Sequence, residues 1–388
     1  MLFRARTTKL KDVNRRLVLF ESLLAACSDL ELEGRAREAR RLTRQHFGAT
    51  MRFFAPLYLS NECINSCRYC GFSRENPILR TTLTPDQVEA EARHLLEKGF
   101  RTLLLVAGEH PRHVGLSYLL ECVGRLRALR VPSIHLEIGP LETADYRQLV
   151  EAGAEGLVVY QETYNRAVYA AMHLAGPKKD YDWRLASPSR GCDAGFRRVG
   201  LGALLGLADW REETLALARH LDALLKTFWK VFFTVSLPRL RPAAGEFAPL
   251  VRVTDRDLTQ IALALRLAFP QVGIVLSTRE SPALRDGLAG IGVTMMSAGS
   301  HTEPGGYTGA GRADLHRTEK GRRVELAPAA LPSDGGRATE QFAIADRRSV
   351  EEVAARIRRL GLEPVWKDWD PALTPDAAAR PPIRDARD

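Results

Sequence analysis

The sequence predicts a (β/α)8 barrel of the TIM type, with a helical N-terminal extension and a C-terminal closing segment. From Met51 onward, eight short β-branched or apolar runs alternate with amphipathic stretches, and each unit takes about 30 to 40 residues. Strands that alternate with helices pair in parallel, because a parallel pair needs a crossover connection. An open, doubly wound sheet is the alternative. Such a sheet usually carries a Gly-rich dinucleotide loop after its first strand, whereas cysteines follow the first strand here.

The expected elements follow one another in a simple order. Residues 1–50 form the helical extension, residues 51–300 form the barrel, and residues 301–388 form a loop, a helix and a tail that pack on the barrel. Thr84 and Pro85 open the first crossover helix with a capping box that has Pro at the first helical position. The predicted strands are Arg52–Ser60, Thr102–Ala107, Ile134–Ile138, Gly156–Tyr160, Arg197–Leu204, Lys230–Val235, Gly273–Ser277 and Gly292–Met296.

Composition and charge exclude several classes of protein. The chain has 388 residues, 45% of them apolar and 27% charged, which is typical of a globular protein and not of a disordered or collagenous one. No run of about 18 apolar residues occurs, so we expect no membrane span. Because Glu21 and Ser22 interrupt the apolar stretch near the basic N-terminus, we expect a cytoplasmic protein. The net charge of +9 is spread widely, so we expect no nucleic-acid partner.

Cysteine usage is the most informative feature of the composition. Three of the six cysteines, Cys63, Cys67 and Cys70, fall within eight residues directly after the first predicted strand. Three thiolates in this CxxxCxxC spacing can hold three irons of a 4Fe-4S cluster and leave the fourth iron without a protein ligand. A structural zinc site is the alternative, but it would need four protein ligands and more often shows paired CxxC motifs. We expect no chemical role for the other thiols, which are Cys27, Cys122 and Cys192.

With this loop the chain resembles the radical S-adenosyl-L-methionine (SAM) enzymes. The second strand ends at Gly108-Glu109, similar to the Gly-Gly-Glu that holds the methionine amino group in that superfamily, with Ala107 in place of the first glycine. The resemblance implies one 4Fe-4S cluster on three cysteines, whose open iron chelates SAM, and reductive cleavage of SAM to methionine and a 5′-deoxyadenosyl radical. It also implies that Glu162 and Arg190 bind the ribose hydroxyls and the methionine carboxylate, and that Tyr69 packs near the adenine.

A finer resemblance, to the aromatic amino acid lyases of the radical SAM group, runs from about Leu23 to the tail. The hydrogenase-maturing tyrosine lyases of this group bind a second cluster through a C-terminal cysteine motif, whereas no Cys follows Cys192 here. The tail around Gln341-Phe342 instead resembles the 2-iminoacetate synthase family of thiazole biosynthesis. The stretch Gly305–Gly336 is expected to be a mobile surface loop, and the part from about Thr308 to Arg337 departs from the family's shorter connection. The strings that carry the resemblance are Pro56–Cys63, Cys70–Ser73, Gly108–Pro111, Tyr160–Tyr164, Ser236–Pro242, Ser277–Glu280, Met296–Ser300, Pro304–Tyr307 and Pro364–Asp370.

The resemblance implies a specific reaction and a substrate site. A hydrogen atom is taken from the amino group of L-tyrosine, the Cα–Cβ bond breaks, and 2-iminoacetate (dehydroglycine) and p-cresol form for thiazole and thiamine biosynthesis. Arg279 at the end of the seventh strand would bind the substrate carboxylate, with Ser297 as a second donor, and Tyr58 would lie near the amine. Because dehydroglycine hydrolyses easily, we expect transfer to thiazole synthase (ThiG). A flavodoxin or a ferredoxin is the expected reductant.

Two other functions stay open at the level of the sequence. A sister lyase that acts on tryptophan or on another aromatic amino acid would share the motifs named above. A non-catalytic iron-sulfur scaffold would need only the cysteine loop. The residues that meet the phenol cannot be named from one sequence, so the choice of substrate rests on the resemblance.

Overall fold

Eight parallel strands close into a barrel in the computed structural model, which describes residues 15–319, 322–324 and 336–366. Each strand pairs with its neighbour in the chain, and the last strand pairs with the first, where Met296 lies opposite Phe53. The predicted barrel and its eight strands are confirmed, with strand ends displaced by a few residues. The strands are β1 (Thr50–Ser60), β2 (Thr102–Ala107), β3 (Ser133–Glu137), β4 (Gly156–Glu162), β5 (Arg198–Ala203), β6 (Phe232–Ser236), β7 (Gly273–Leu276) and β8 (Met295–Ser297).

The barrel strands are apolar on both faces, because helices cover the outer face and side chains fill the interior. In β2, Leu103 and Leu105 belong to the large core between strands and helices, whereas Leu104 and Val106 pack inside the barrel with residues of β1 and β8. This arrangement explains why the strands appear in the sequence as continuous runs of apolar residues.

Helices separate the strands, and several begin with a capping box. The side chains of Ser28, Thr84, Thr254 and Ser349 each accept from a backbone N–H three residues later. The predicted box at Thr84 is therefore confirmed. Among these described helices there is none with the length and apolar content that a membrane crossing requires. The helices are α1 (15–24), α2 (Asp29–Phe47), α3 (Pro85–Glu97), α4 (Leu116–Ala128), α5 (Thr143–Ala152), α6 (Arg166–Met172), α7 (Tyr181–Leu185), α8 (Ser187–Ala194), α9 (Trp210–Thr227), α10 (Asp255–Ala268), α11 (Pro282–Leu288) and α12 (Val350–Arg359).

The N-terminal helices pack on the outside of the barrel. α2 lies against α10, and Gln260 of α10 donates to the carbonyl oxygens of Leu23 (2.8 Å) and Ala25 (2.7 Å). The predicted helical extension is found at residues 15–24 and in α2, and residues 1–14 lie outside the described part of the chain. The division of the chain at residues 50 and 300 stays a prediction.

The C-terminal segment returns to the first strand. A short strand, β9 (Glu363–Val365), pairs in parallel with the first three residues of β1. Trp366 then packs edge-on against Phe53 and Phe100, with ring centroids 5.2 and 5.5 Å apart. The end of the motif predicted at Pro364–Asp370 lies outside the described residues.

The segment after β8 is not a simple loop. His316–Glu319 pairs antiparallel with Leu79–Arg80 on one side and with Arg322–Val324 on the other. The prediction of a surface loop over Gly305–Gly336 is therefore wrong for these residues, because the loop after the cysteines offers them a strand to pair with. The remainder of this stretch, residues 320–321 and 325–335, lies outside the described residues.

Candidate active site

A cavity opens at the carboxyl ends of the barrel strands, where active sites of this fold class lie. One half contains the clustered cysteines and Glu109, and the other contains Tyr69, Arg279 and Phe342. The two halves adjoin each other, and six residues line both: Cys70, Glu137, Tyr160, Glu162, Lys178 and Gln341. The cavity thus brings most of the predicted site residues together.

The three cysteines lie in the loop that follows β1, and hydrogen bonds to the loop's backbone hold its shape. Within it, the short strand Ser66–Cys67 pairs antiparallel with His173–Ala175. The side chain of Arg80 is fully buried and donates to four carbonyl oxygens of the loop, those of Asn61, Phe72, Ser73 and Asn76. The positions of the thiols are therefore set by the protein itself.

Glu109 follows β2 and faces the cysteine loop. The amide of Asn65 donates to Glu109 Oε2 at 2.7 Å and lies 3.7 Å from Cys63 Sγ. Gly108 has no room for a side chain, because a Cβ there would overlap the carbonyl oxygen of Glu62. Gly108 therefore lets the cysteine loop approach β2, and this approach brings Glu109 beside the thiols.

Glu162 ends β4 between two cations. Its backbone is left-handed (φ 70°), and its carboxylate lies 2.7 Å from Lys178 Nζ and 3.7 Å from the guanidinium of Arg184. Burial raises the pKa of Glu162, but Lys178 and Arg184 together outweigh this effect, so the pKa is lower than usual and the carboxylate is ionised. Sequence reasoning missed both cations, which follow β4 without a recognisable motif.

Arg190 does not lie in the cavity, contrary to the expectation that it binds the carboxylate of SAM. Its guanidinium donates to the carbonyl oxygens of Leu141 and Trp183, both at 2.9 Å, and stacks 3.5 Å above the Trp183 ring. The physical reason is that α8, which carries Arg190, packs on α5 at the outside of the barrel. Arg184 of α7 lines the cavity instead, and its Nε donates to the Tyr160 carbonyl oxygen at 2.6 Å.

Tyr69 lines the cavity and is fixed by a chain of hydrogen bonds. Its hydroxyl donates to Nε2 of His173 at 2.8 Å, and Nδ1–H of His173 donates to the Tyr169 carbonyl oxygen at 2.8 Å. Burial, assisted by the charge of Lys178, lowers the pKa of His173 to about 3. The ring is therefore neutral, which is the state in which Nε2 can accept from Tyr69.

Arg279 follows β7 and presents a cation to the cavity. Its guanidinium lies 3.2 Å from the centre of the Phe342 ring, and within the described part of the chain nothing accepts a hydrogen bond from it. Burial lowers the pKa of Arg279, while Tyr58, Tyr160 and Glu137 partly offset this effect. A guanidinium of this kind is suited to a bidentate carboxylate ligand.

Ser297 and Tyr58 lie behind the cavity wall and do not line it. Ser297 is 1% exposed, and its Oγ accepts from the backbone N–H of Thr278 at 3.2 Å. The hydroxyl of Tyr58 donates to Oε1 of Gln341 at 2.8 Å, and Gln341 lines both halves of the cavity. Ser297 and Tyr58 could thus make the predicted direct contacts with a ligand only if neighbouring residues moved.

Glu137 is a cavity residue that sequence reasoning missed. It ends β3, lines both halves of the cavity and forms no hydrogen bond with other described residues through its carboxyl group. Burial raises the pKa of Glu137 to about 7, although the guanidinium of Arg279 acts in the opposite direction. Its position at the carboxyl end of a strand, which Glu109 and Glu162 share, is the signal that could have found it.

Comparisons with known proteins place the chain in a family. The Radical SAM superfamily model matches residues 57–221, and the Biotin and Thiamin Synthesis associated domain model matches residues 236–363. The chain is 43% identical over 353 residues to the 2-iminoacetate synthase of Escherichia coli (strain K12), with 91% of this chain and 87% of that protein covered. The chain belongs to the 2-iminoacetate synthase family. A second member, from Salmonella typhimurium, is 42% identical over 350 residues, covering 90% of this chain and 86% of its own.

Solved structures are similar to this 2-iminoacetate synthase family member in fold. The hydrogenase maturase HydG from Carboxydothermus hydrogenoformans has a TM-score of 0.79 and 33% identity, covering 93% of this chain and 79% of its own. Methylornithine synthase (PylB) has a TM-score of 0.67 at 21% identity, with 89% and 93% covered, which shows the fold alone. The predicted barrel and radical SAM membership are thereby confirmed.

Membership of the radical SAM superfamily implies a 4Fe-4S cluster and SAM, and the cysteine loop fits the cluster. Burial raises the pKa of Cys67 and Cys70; the ammonium of Lys178 lowers both only in part, and the neighbouring thiols oppose it. Metal coordination removes the thiol proton and compensates the buried charge. Three sulfur donors in one fixed loop beside open cavity space suit a cluster that keeps one iron for SAM.

Proposed function

We propose that this 2-iminoacetate synthase family member cleaves the Cα–Cβ bond of L-tyrosine to 2-iminoacetate and p-cresol in thiazole formation for thiamine. The observation that carries the proposal is that the half-cavity lined by three clustered thiols adjoins the half lined by the guanidinium of Arg279, with six lining residues in common. The identity to 2-iminoacetate synthases, spread over most of both chains, supports the same reaction.

Three cysteines would hold the cluster, and Glu109 would accept hydrogen bonds from the amino group of SAM. When bound, the cluster and SAM supply the 5′-deoxyadenosyl radical that takes a hydrogen atom from the substrate. Asn65 keeps the Glu109 carboxylate oriented toward the cysteine loop by its 2.7 Å hydrogen bond. The proposed cluster ligands are Cys63, Cys67 and Cys70.

The remainder of SAM would lie along β4 and the loop that follows it. Glu162, ionised between Lys178 and Arg184, is suited to accept from the ribose hydroxyls. Arg184 would take the role expected of Arg190, because its guanidinium lines the cavity. The ring of Tyr69, fixed by its hydrogen bond to His173, would pack near the adenine.

Tyrosine would bind in the other half of the cavity. Its carboxylate would pair with Arg279, which no described residue satisfies. Glu137 would accept a proton from the substrate ammonium group, since a pKa of about 7 allows its carboxyl group to exchange protons near neutrality. Tyr58 and Ser297 would position their neighbours, Gln341 and Thr278, rather than touch the substrate.

The cavity would also protect the product from water, and the reaction would need partner proteins. Because 2-iminoacetate hydrolyses easily, a closed site and direct transfer to thiazole synthase (ThiG) prevent its loss. The reaction consumes two electrons: one cleaves SAM, and the other, together with a proton, converts the 4-hydroxybenzyl fragment into p-cresol. We propose a flavodoxin or a ferredoxin as the source of both electrons.

Anaerobic incubation with SAM, a reductant and one aromatic amino acid at a time tests the proposal. We expect p-cresol and 5′-deoxyadenosine with tyrosine. An indole product formed only with tryptophan would establish the sister lyase instead. Absence of 5′-deoxyadenosine from iron-replete protein with every amino acid would favour a scaffold.

The cluster assignment has its own test. Alanine at any of the three proposed ligand cysteines should abolish the broad absorbance near about 400 nm and lower the iron content. Cys122→Ala serves as the matched control, because Cys122, like Cys67, is a buried thiol but belongs to the core face of α4. Four irons per chain in any ligand variant would contradict the assignment.

A further inference from the structure

Three metal-ligating side chains converge beside the cysteine loop, apart from the residues that line the cavity. Glu62, His110 and His113 each place one ligand atom, a carboxylate oxygen or an imidazole nitrogen, within 4.8 Å of the other two. Glu62 is buried, His110 is half-buried and His113 is exposed, so the group can be reached from solvent. None of the three has a part in the proposed lyase reaction.

A tight turn after β2 presents the two histidines together. The backbone N–H groups of His113 and Val114 both donate to the carbonyl oxygen of His110, at 3.1 and 2.8 Å. This turn brings the two imidazole centroids to 4.5 Å. Nδ1 of His110 is buried and has no hydrogen-bond partner within the described part of the chain. Most buried polar atoms in proteins form a hydrogen bond, so this unpaired ring nitrogen is an unusual feature.

The third ligand, Glu62, is held by a side chain from a distant part of the chain. Nε2 of His316 lies 2.5 Å from Glu62 Oε1, and its Nδ1 lies 3.0 Å from the carbonyl oxygen of Asp314. Both ring nitrogens of His316 thus face oxygen acceptors, which fixes the ring and, through it, the carboxylate. Metal-ligating carboxylates are commonly oriented by a hydrogen bond to one oxygen, while the other binds the metal.

We propose that Glu62, His110 and His113 bind one zinc ion that joins the cysteine loop to the loop after β2. Two imidazoles and a carboxylate, with one open position, are a ligand set that zinc accepts. Tetrahedral zinc places its ligand atoms about 3.3 Å apart, so the side chains need to close by no more than about 1.5 Å. Since Glu62 precedes Cys63 and His110 follows Glu109, the ion would fix the thiols relative to Glu109.

Zinc binding to the full-length, cluster-loaded protein tests this inference. We expect one zinc per chain in addition to the cluster iron, measured by elemental analysis after dialysis and by calorimetric titration with ZnCl2. His113→Ala should lower the zinc affinity by at least about tenfold. His46→Ala is the matched control, since His46 is an exposed histidine at the end of α2, and it should leave the affinity unchanged.

Two further variants separate this site from the cysteines. Glu62→Gln should also weaken zinc binding, whereas cluster-free Cys63→Ala should keep the site formed by the two histidines and Glu62. Equal zinc affinity of the unchanged protein, His113→Ala and Glu62→Gln would overturn the inference. Loss of zinc from Cys63→Ala alone would overturn it as well, because the ion would then belong to the cysteine loop. These results do not depend on whether tyrosine is the substrate.

Discussion

Two carboxyl groups in one cavity have different protonation behaviour, and their partners explain the difference. Glu162 has two cations within 4 Å and is ionised at any pH near neutrality. Glu137 is held in the same cavity without a hydrogen-bonded partner among the described residues, and its pKa rises to about 7. Enzymes commonly give neighbouring carboxyl groups different roles by placing them in environments that separate their pKa values. Glu162 is thus suited to binding and Glu137 to proton exchange.

Glu137→Gln should gain stability relative to the unchanged chain as the pH rises through about 7. The pKa of Glu137 is raised from 4.5 to about 7 in the folded state. Protonated Glu137 therefore contributes fully to the stability of the fold below about pH 4.5, and this stabilisation is lost as the pH rises through about 7. Gln imitates the protonated form at every pH. The difference in Tm between variant and parent should therefore grow between about pH 5 and pH 8. Glu33→Gln on exposed α2 is the control, and a flat difference for Glu137→Gln would contradict the prediction.

Arg279→Ala should impair tyrosine turnover far more than background SAM cleavage. Removal of a bidentate, charge-assisted contact to the substrate carboxylate should lower kcat/KM for tyrosine by about 10- to 100-fold. Formation of 5′-deoxyadenosine with and without tyrosine is the measurement. An equal fall of both rates would place Arg279 in the SAM site instead.

Part of the site could be predicted from the identity of its residues, whereas the rest depends on the directions of side chains, which only the structure gives. Glu109 after β2 and Arg279 after β7 could be named because the family resemblance assigns roles to them and because both follow strands at the end of the barrel where its chemistry collects. The choice between Arg184 and Arg190 could not be made, since it depends on where α7 ends and α8 begins, two residues apart. Glu137 was not named, because the predicted strand ends one residue later, at Ile138.

At the scale of elements, the cysteine loop depends on a ribbon of two very short strands. Ser66–Cys67 and His173–Ala175 pair with few hydrogen bonds, so neither strand is stable by itself. Gly176, directly after the second strand, has φ of 88°, and a Cβ there would overlap Oδ1 of Asn65. The ribbon thus couples the loop after β4 to the amide that orients Glu109.

Gly176→Ala should therefore weaken retention of iron and destabilise the fold. A left-handed backbone and a steric overlap at the same position should cost at least about 1 to 3 kcal/mol. Gly34→Ala is the matched control: Gly34 lies within α2 with no atom within 4 Å of a built Cβ, so alanine there should be neutral or stabilising by up to about 1 kcal/mol. Iron content and Tm of both variants are the measurements, and equal values would contradict the prediction.

Strand positions were predictable because each barrel strand is buried on both faces. The strand His316–Glu319 was not predicted, since it is polar and pairs with another short strand, Leu79–Arg80, at the edge of the cysteine loop. Such an element forms through a tertiary contact and leaves no hydrophobic period in the sequence.

At the scale of the whole molecule, the tail is fastened to the barrel by buried charge. Arg285 of α11 donates to Asp346 and to the carbonyl oxygen of Ser297, and the side chains of Arg285 and Asp346 are 1% and 0% exposed. Arg348 also donates to Asp346, at 2.7 Å. These bonds join the end of β8, and therefore the wall behind Arg279, to the segment that precedes α12.

Asp346→Ala should destabilise the protein by about 3 to 5 kcal/mol, because it leaves Arg285 buried without its counter-charge. Glu33→Ala removes the partner of Arg37 from an ion pair whose side chains are 63% and 71% exposed, and it should cost less than about 1 kcal/mol. Chemical denaturation of the two variants measures the contrast. A similar loss in both would argue against a stabilising role for the buried pair.

The pairing of β1 has a consequence for biosynthesis. The edge of β1 that pairs with β8 must wait for that strand, which is translated much later than Ser60. At roughly 5 to 20 residues per second, the nascent chain carries this unpaired edge for a time on the order of tens of seconds. Such an edge invites non-native pairing, so a chaperone that covers β1 should raise the yield of folded protein. Because the cysteine loop extends from β1, iron delivery is expected after release from the ribosome.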